Sequence, residues 1–223
     1  MSSACHRSNR AESEVALMAV SKMHPPEAVI EAYGCGLRLF GENRVQEWQD
    51  KSASLTALTD IAVHLIGPLQ SNKAVRAAEL FDAIDSVDSL KIATRLNASA
   101  AMAGKKLPIL IEVKLSHERS KHGISPAELP ALLTHLAPLE SLLPSGLMTV
   151  PPWSEDPRQA RPYFRELRRL RDASLAACPT LKQLSMGMSN DFDVAIEEGS
   201  TCVRIGTALF GKREYAKSAL GNE

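Results

Sequence analysis

The chain has 223 residues, 44% of them apolar, and its 26 basic side chains balance 26 acidic ones. That length holds one large α/β domain or two small ones, and zero net charge argues against a dedicated nucleic-acid or anionic-membrane binder. Residues 1–14 lack a signal peptide's apolar run and no later segment is long enough to cross a bilayer, which points to a cytoplasmic protein.

Four scattered cysteines form no Cys-x-x-Cys pair, and six histidines form no His-Glu-x-x-His pattern. Neither a disulfide framework nor a metal site is expected.

The first strong element is Val15-Ala16-Leu17-Met18-Ala19-Val20-Ser21-Lys22. Apolar on both faces, it reads as a buried parallel strand that ends on a lysine. Pro25 and Pro26 open a helix that Gly34 or Gly36 stops. A short strand over 38–41 leads to Glu42-Asn43-Arg44 and a helix over 45–55. Strands follow over 62–67, 82–87 and 107–115, with helices over 70–80 and 89–103 between them. Residues 116–123 form a polar loop near the predicted rim, as do Lys114 and Lys121; the loop is either a mobile surface loop or a lid. A helix over 126–136, a strand over 146–150 and a helix over 157–177 come next. The chain closes with a strand over 183–186, a helix over 191–198 and a strand over 202–206.

This alternation predicts a single α/β domain, a (β/α)8 TIM-type barrel, with a doubly wound open sheet as the competing fold. No linker divides the chain. The expected organisation is a short N-terminal segment (1–14), the barrel (15–211) and a frayed tail (212–223).

In such barrels the site lies at the C-terminal ends of the strands, and phosphate sites often sit after strands seven and eight. Lys22 is placed at that rim, either as a Schiff-base nucleophile or as a lysine snorkelling into solvent. After the seventh strand comes Ser185-Met186-Gly187-Met188-Ser189-Asn190-Asp191, and the eighth ends Arg204-Ile205-Gly206-Thr207. Gly187 and Gly206 would let the backbone approach a phosphate, and Ser189 and Thr207 would add hydroxyls. Alternatively, Ser189 is only an N-cap and Gly206 only a strand-end turn. Arg204, inside the barrel, either faces a ligand or pairs with an acid such as Glu42. Asn43 either binds a ligand or caps the next helix.

Two patterns are set aside. Gly34-x-Gly36 with Gly41 ends a helix instead of leaving a strand, so it is no dinucleotide fingerprint. Arg158, Arg161, Arg165, Arg168, Arg169 and Arg171 are interspersed with Glu166 and Asp172, as on a solvated outer face. A lysine at the first strand end, with a phosphate held across the barrel mouth, points to pyridoxal phosphate chemistry. A barrel binding a phosphorylated sugar without a covalent lysine would need only the second site.

Several stretches also occur in a telling order: Ala19-Val20-Ser21-Lys22, Phe40-Gly41-Glu42-Asn43-Arg44-Val45-Gln46-Glu47, His64-Leu65-Ile66-Gly67-Pro68-Leu69-Gln70-Ser71-Asn72-Lys73, Ser86-Val87-Asp88-Ser89, Gly146-Leu147-Met148-Thr149, Leu184-Ser185-Met186-Gly187-Met188-Ser189-Asn190-Asp191 and Arg204-Ile205-Gly206-Thr207. From about residue 15 to 211 the chain resembles the pyridoxal phosphate homeostasis protein family, single-domain relatives of the alanine racemase barrel. The resemblance implies that pyridoxal 5'-phosphate is held as a Schiff base on Lys22. It places Asn43 near the ring, Met188, Ser189, Gly206 and Thr207 at the phosphate, and Arg204 at the pyridine nitrogen. An arginine there disfavours a second cation on that nitrogen and weakens the ring as an electron sink.

The implied function is vitamin B6 and amino-acid homeostasis, by a monomer that passes its cofactor to apo-enzymes. The alternative is a pyridoxal phosphate-dependent amino-acid racemase. Two departures bear on these readings. The segment before the first strand is short, so the family's leading helix is short or missing and one side of the barrel is less covered. The racemases' second domain and catalytic tyrosine have no counterpart, since Tyr33, Tyr163 and Tyr215 lie in no matching motif.

Overall fold

Apolar runs of four to seven residues, broken by turn residues, become strands covered on both faces. In the computed structural model, which describes residues 1–116, 118 and 122–211, they are β1 (Ala16–Val20), β2 (Leu39–Glu42), β3 (Ala62–Leu65), β4 (Ala83–Val87), β5 (Leu107–Glu112), β6 (Leu142–Met148), β7 (Gln183–Met188) and β8 (Cys202–Ile205). Each pairs in parallel with the next, and the circle closes where β8 pairs with β1, from Ala16 opposite Cys202 to Ala19 opposite Ile205. The closure decides for the barrel over the open sheet. It also corrects one expectation. Lys22 and the strand-eight site are not across the mouth from each other but on neighbouring strands, because closure makes the first and last strands adjacent.

The helices are α1 (Ser2–Arg7), α2 (Pro26–Gly34), α3 (Val45–Ser52), α4 (Ala74–Leu80), α5 (Leu90–Met102), α6 (Leu129–Leu136), α7 (Arg161–Ser174), α8 (Phe192–Glu197) and α9 (Thr207–Phe210). Helix α5 shows why they form and pack. Ser89 caps it by accepting from the Ile92 N–H, and Ile92, Ala93, Leu96, Ser99 and Ala100 make one buried face. The stretches expected as helices over 126–136 and 157–177 each begin with a 3-10 turn, Pro126–Glu128 and Pro157–Ala160. A proline in the first turn has no N–H; Glu128 Oε2 accepts from the Ser125 N–H and hydroxyl, and Asp156 Oδ1 accepts from the Arg158 N–H, which hold the tighter geometry.

Strand residues and inner helix faces share one core, in which Phe40, Phe81 and Phe164 are fully buried. Burying each such ring contributes roughly 1.5–3 kcal/mol.

The leading helix is short but present. Ala4 and Cys5 of α1 pack with Val15, Ile196, Val203 and Ile205 over the β1–β8 seam. Arg7 Nε donates to Glu197 Oε1 at 2.9 Å, and Arg10 Nη1 donates to Ser200 O at 2.7 Å. That side of the barrel is therefore covered. Helix α7 buries Phe164, Leu167 and Leu170. Its arginines are matched by acids: Arg161 with Glu197 and Glu198, Arg165 with Glu198, and Arg169 with Glu166. His117, Arg119, Ser120 and Lys121 of the expected lid, and the tail 212–223, lie outside the described residues. Among the described residues no helix is long and apolar enough to cross a membrane.

Candidate functional site

The chain leaves the barrel at the C-terminal ends of β1, β6, β7 and β8 around a cavity of about 510 Å³. Six of the seven residues expected at the site line it: Lys22, Met188, Ser189, Arg204, Gly206 and Thr207. The seventh, Asn43, does not. Its backbone packs against the turn after β3, where a Cβ on Gly67 would lie 2.3 Å from Asn43 O. Nor does Asn43 cap α3, whose N-cap is Arg44 and which has no side-chain cap bond.

Arg204 points inward from β8 and is 4% exposed. Its Nη1 donates to Ser185 Oγ at 2.8 Å and its Nη2 to Thr149 O at 2.9 Å. It is not paired with Glu42, which is taken by Lys51 at 2.6 Å. Burial pulls the Arg204 pKa down, opposed by Cys202, Asp85, Glu112 and Asp191. An arginine still keeps its proton at neutral pH, so the cavity floor is cationic. Cys202, on the same inward face of β8 as Arg204 and deep in the barrel, has its thiol pushed up to about 12 by burial, which leaves it unreactive.

The loop after β7 is tied rather than simply capped. Asp191, the N-cap of α8, accepts from the Met188 N–H at 2.6 Å. Burial pushes its carboxyl above the ordinary range. Ser189 is therefore not the cap of α8. Its Oγ accepts from the Ala208 N–H at 3.3 Å and so joins this loop to the first turn of α9. The two glycines play different parts. Gly187 has φ +96°, and a Cβ there would meet Ala195 Cβ at 2.5 Å, so its bareness serves the close packing of α8 and not a ligand. Gly206 has φ −110°, and a Cβ there would meet nothing nearer than Val20 O at 3.5 Å. The protein's own packing does not require a glycine at 206, which leaves the backbone there open to close approach.

Beside Lys22 is a polar cluster that the sequence reading missed. Ser21 Oγ donates to Glu42 Oε1 at 2.8 Å. Lys51 Nζ donates to that same oxygen, to Ser21 O at 2.9 Å and to Glu47 Oε1 at 3.1 Å. The signal was present in α3: Glu47 and Lys51 stand four apart, on the side that also buries Trp48. Trp153 was also missed. It is 72% exposed and stands in the cavity wall. Its place in an irregular loop leaves no periodicity to read.

An amine, a guanidinium, two hydroxyls and a bare backbone segment thus surround one cavity. That donor set fits a small molecule bearing a phosphate, with an electrophilic carbon for the lysine. Pyridoxal 5'-phosphate meets both requirements.

The comparisons with known proteins agree with this geometry. The family described as "Alanine racemase, N-terminal domain" matches residues 6–214. The pyridoxal phosphate homeostasis protein of Aquifex aeolicus is 44% identical over 213 residues, 95% of this chain and 93% of the other. That of Escherichia coli K12 is 43% identical over 226 residues, 97% and 94% of the two chains. The structure of PipY from Synechococcus elongatus with PLP bound superposes with a TM-score of 0.85 at 43% identity, covering 93% of this chain and 97% of that one. With a closed eight-stranded barrel and these identities over nearly its whole length, the chain belongs to the pyridoxal phosphate homeostasis proteins, single-barrel members of the alanine racemase N-terminal domain family.

Proposed function

We propose that this chain binds pyridoxal 5'-phosphate and serves its homeostasis, with that of amino acids, in the cell. The observation that carries the reading is the meeting of Lys22, Arg204, Ser189, Gly206 and Thr207 around one cavity. Lys22 is the residue that would hold the aldehyde covalently. Ser189, Gly206 and Thr207 would take the phosphate with Met188 beside them, and Arg204 would face the ring nitrogen. When bound, the cofactor supplies an aldehyde for amines and a conjugated ring able to accept electrons. Arg204 limits that acceptance: its fixed charge, anchored by Ser185 and Thr149, opposes a second cation beside it. The protein then stores the cofactor and hands it on, as a cytoplasmic monomer whose recipients are apo-enzymes.

Racemisation needs proton-transfer groups on both faces of a substrate. Among the described residues no tyrosine lines the cavity. Tyr33 instead donates to Asp60 Oδ1 at 2.6 Å on the outer surface, and Tyr215 lies outside the described residues. The test is to add the cofactor, record the visible band, reduce with borohydride and map the modified peptide. An adduct on Lys22 that disappears in Lys22→Ala is expected. A colourless protein, or an adduct on Lys73 or Lys114, refutes the assignment. Turnover of D- or L-alanine, followed by optical rotation, would establish the racemase instead.

A further inference from the structure

The turn that carries Lys22 is held by a second, buried lysine. Lys51 has a side chain only 5% exposed, against a Glu42 side chain that is fully buried. An ammonium has three N–H donors, and Lys51 uses them on Ser21 O, Glu42 Oε1 and Glu47 Oε1. Ser21 adds its hydroxyl to Glu42, and the Met23 N–H donates to the Glu47 oxygen that Lys51 also binds. Both chain neighbours of Lys22 are therefore tied to one cluster. Met23 has φ +64°, a left-handed conformation that a residue with a Cβ keeps only where its surroundings over-determine it.

As a stability device this cluster is poor. A buried ion pair gains little over a well-packed apolar pair, because both charges must leave water. Here Glu42 Oε2 is also buried without a hydrogen-bond partner, which adds a desolvation cost. What the cluster does supply is position. It links α3 to the backbone on either side of one residue, Lys22, at the mouth of the cavity.

We infer that Lys51 is a positioning residue, which with Glu42 and Glu47 holds the turn 21–23 so that the Lys22 amine is set to capture an aldehyde. The inference rests on the reading of Lys22 given above. In the capture, the amine nitrogen adds to the aldehyde carbon, a C=N bond forms and water leaves.

Two ligands separate positioning from general support. Pyridoxal 5'-phosphate can condense with Lys22, whereas pyridoxine 5'-phosphate, an alcohol, binds only non-covalently. Wild-type chain is first titrated with the aldehyde, reduced and mapped. An absent Lys22 adduct overturns the capture reading itself, and this inference with it. Glu47→Ala and Lys51→Met are then compared with wild type. Glu47→Ala leaves the Lys51–Glu42 pair intact and decides the matter if Lys51→Met fails to fold. The expected result is about tenfold weaker binding and slower capture of the aldehyde, with the alcohol's affinity changed less than about twofold. Unchanged capture in Glu47→Ala refutes the inference. Equal loss of both ligands also refutes it, since the cluster would then support the site as a whole.

Discussion

Gly187 and Gly206 stand 19 positions apart at the ends of neighbouring strands, and the proposed function gives them opposite jobs. At Gly187 an added methyl faces two costs. The left-handed φ of +96° costs an L residue about 1–2 kcal/mol. The Cβ would also press on Ala195 Cβ at 2.5 Å and Phe192 Cα at 3.1 Å, and such overpacking costs about 1–3 kcal/mol. Gly187→Ala should thus lose about 3 kcal/mol, a fall of roughly 6–12 °C in Tm for a chain of this size. At Gly206 the φ of −110° suits any residue and the nearest atom is 3.5 Å away. Gly206→Ala should therefore change stability by less than about 0.5 kcal/mol, as surface substitutions do. If Gly206 holds the phosphate as proposed, the same methyl would obstruct it, and loss of one charge-assisted hydrogen bond there would weaken pyridoxal phosphate by about tenfold or more. Urea unfolding of the ligand-free variants and a spectroscopic titration give the four numbers. If Gly206→Ala unfolds as readily as Gly187→Ala, or binds the cofactor like wild type, the division between a packing glycine and a ligand glycine is wrong.

Other outcomes follow from single residues. Arg204→Met leaves Ser185 Oγ and Thr149 O without their buried donor, a loss of roughly 2–4 kcal/mol that denaturant unfolding measures; the visible band of bound cofactor should shift as well. His64 Nδ1 lies 3.0 Å from Asp85 Oδ1. Burial pulls that imidazole's pKa down, but the Asp85 hydrogen bond and charge outweigh it, so the folded pKa is raised. The resulting stability is present in full below the unfolded value of about 6.5 and is lost as pH rises through the folded value. Asp85→Asn should remove that loss as pH rises above about 6.5, and an unaltered pH profile in the variant would exclude the pair as its source. Trp153, exposed in the cavity wall, should be quenched by added pyridoxal phosphate while buried Trp48 is not; Trp153→Phe then abolishes most of the fluorescence change.

Much of this protein could be read from its chain. Parallel strands buried on both faces leave short apolar runs, and helices between them leave a 3.6-residue period, so the alternation and the element order were legible. The C-terminal end of each strand was legible only to within three residues, close enough to place Lys22, Ser189, Arg204, Gly206 and Thr207 at one rim. The barrel was the favoured fold, but alternation alone could not separate a closed sheet from an open one, because β1 and β8 are far apart in sequence and their pairing is non-local. That pairing made Lys22 and Arg204 neighbours. The partners of buried charges were hidden for the same reason. Arg204 looks as ready to meet Glu42 as any other acid until the fold gives Glu42 to Lys51 and leaves Arg204 to Ser185 and Thr149. Glycine is equally silent in sequence: Gly187 and Gly206 are the same letter, and only φ and the surrounding atoms separate them. Local pattern is a property of neighbouring residues, and so the chain alone determined the elements and their rim. Which side chains meet is a property of distances across the fold, and that was decided only in three dimensions.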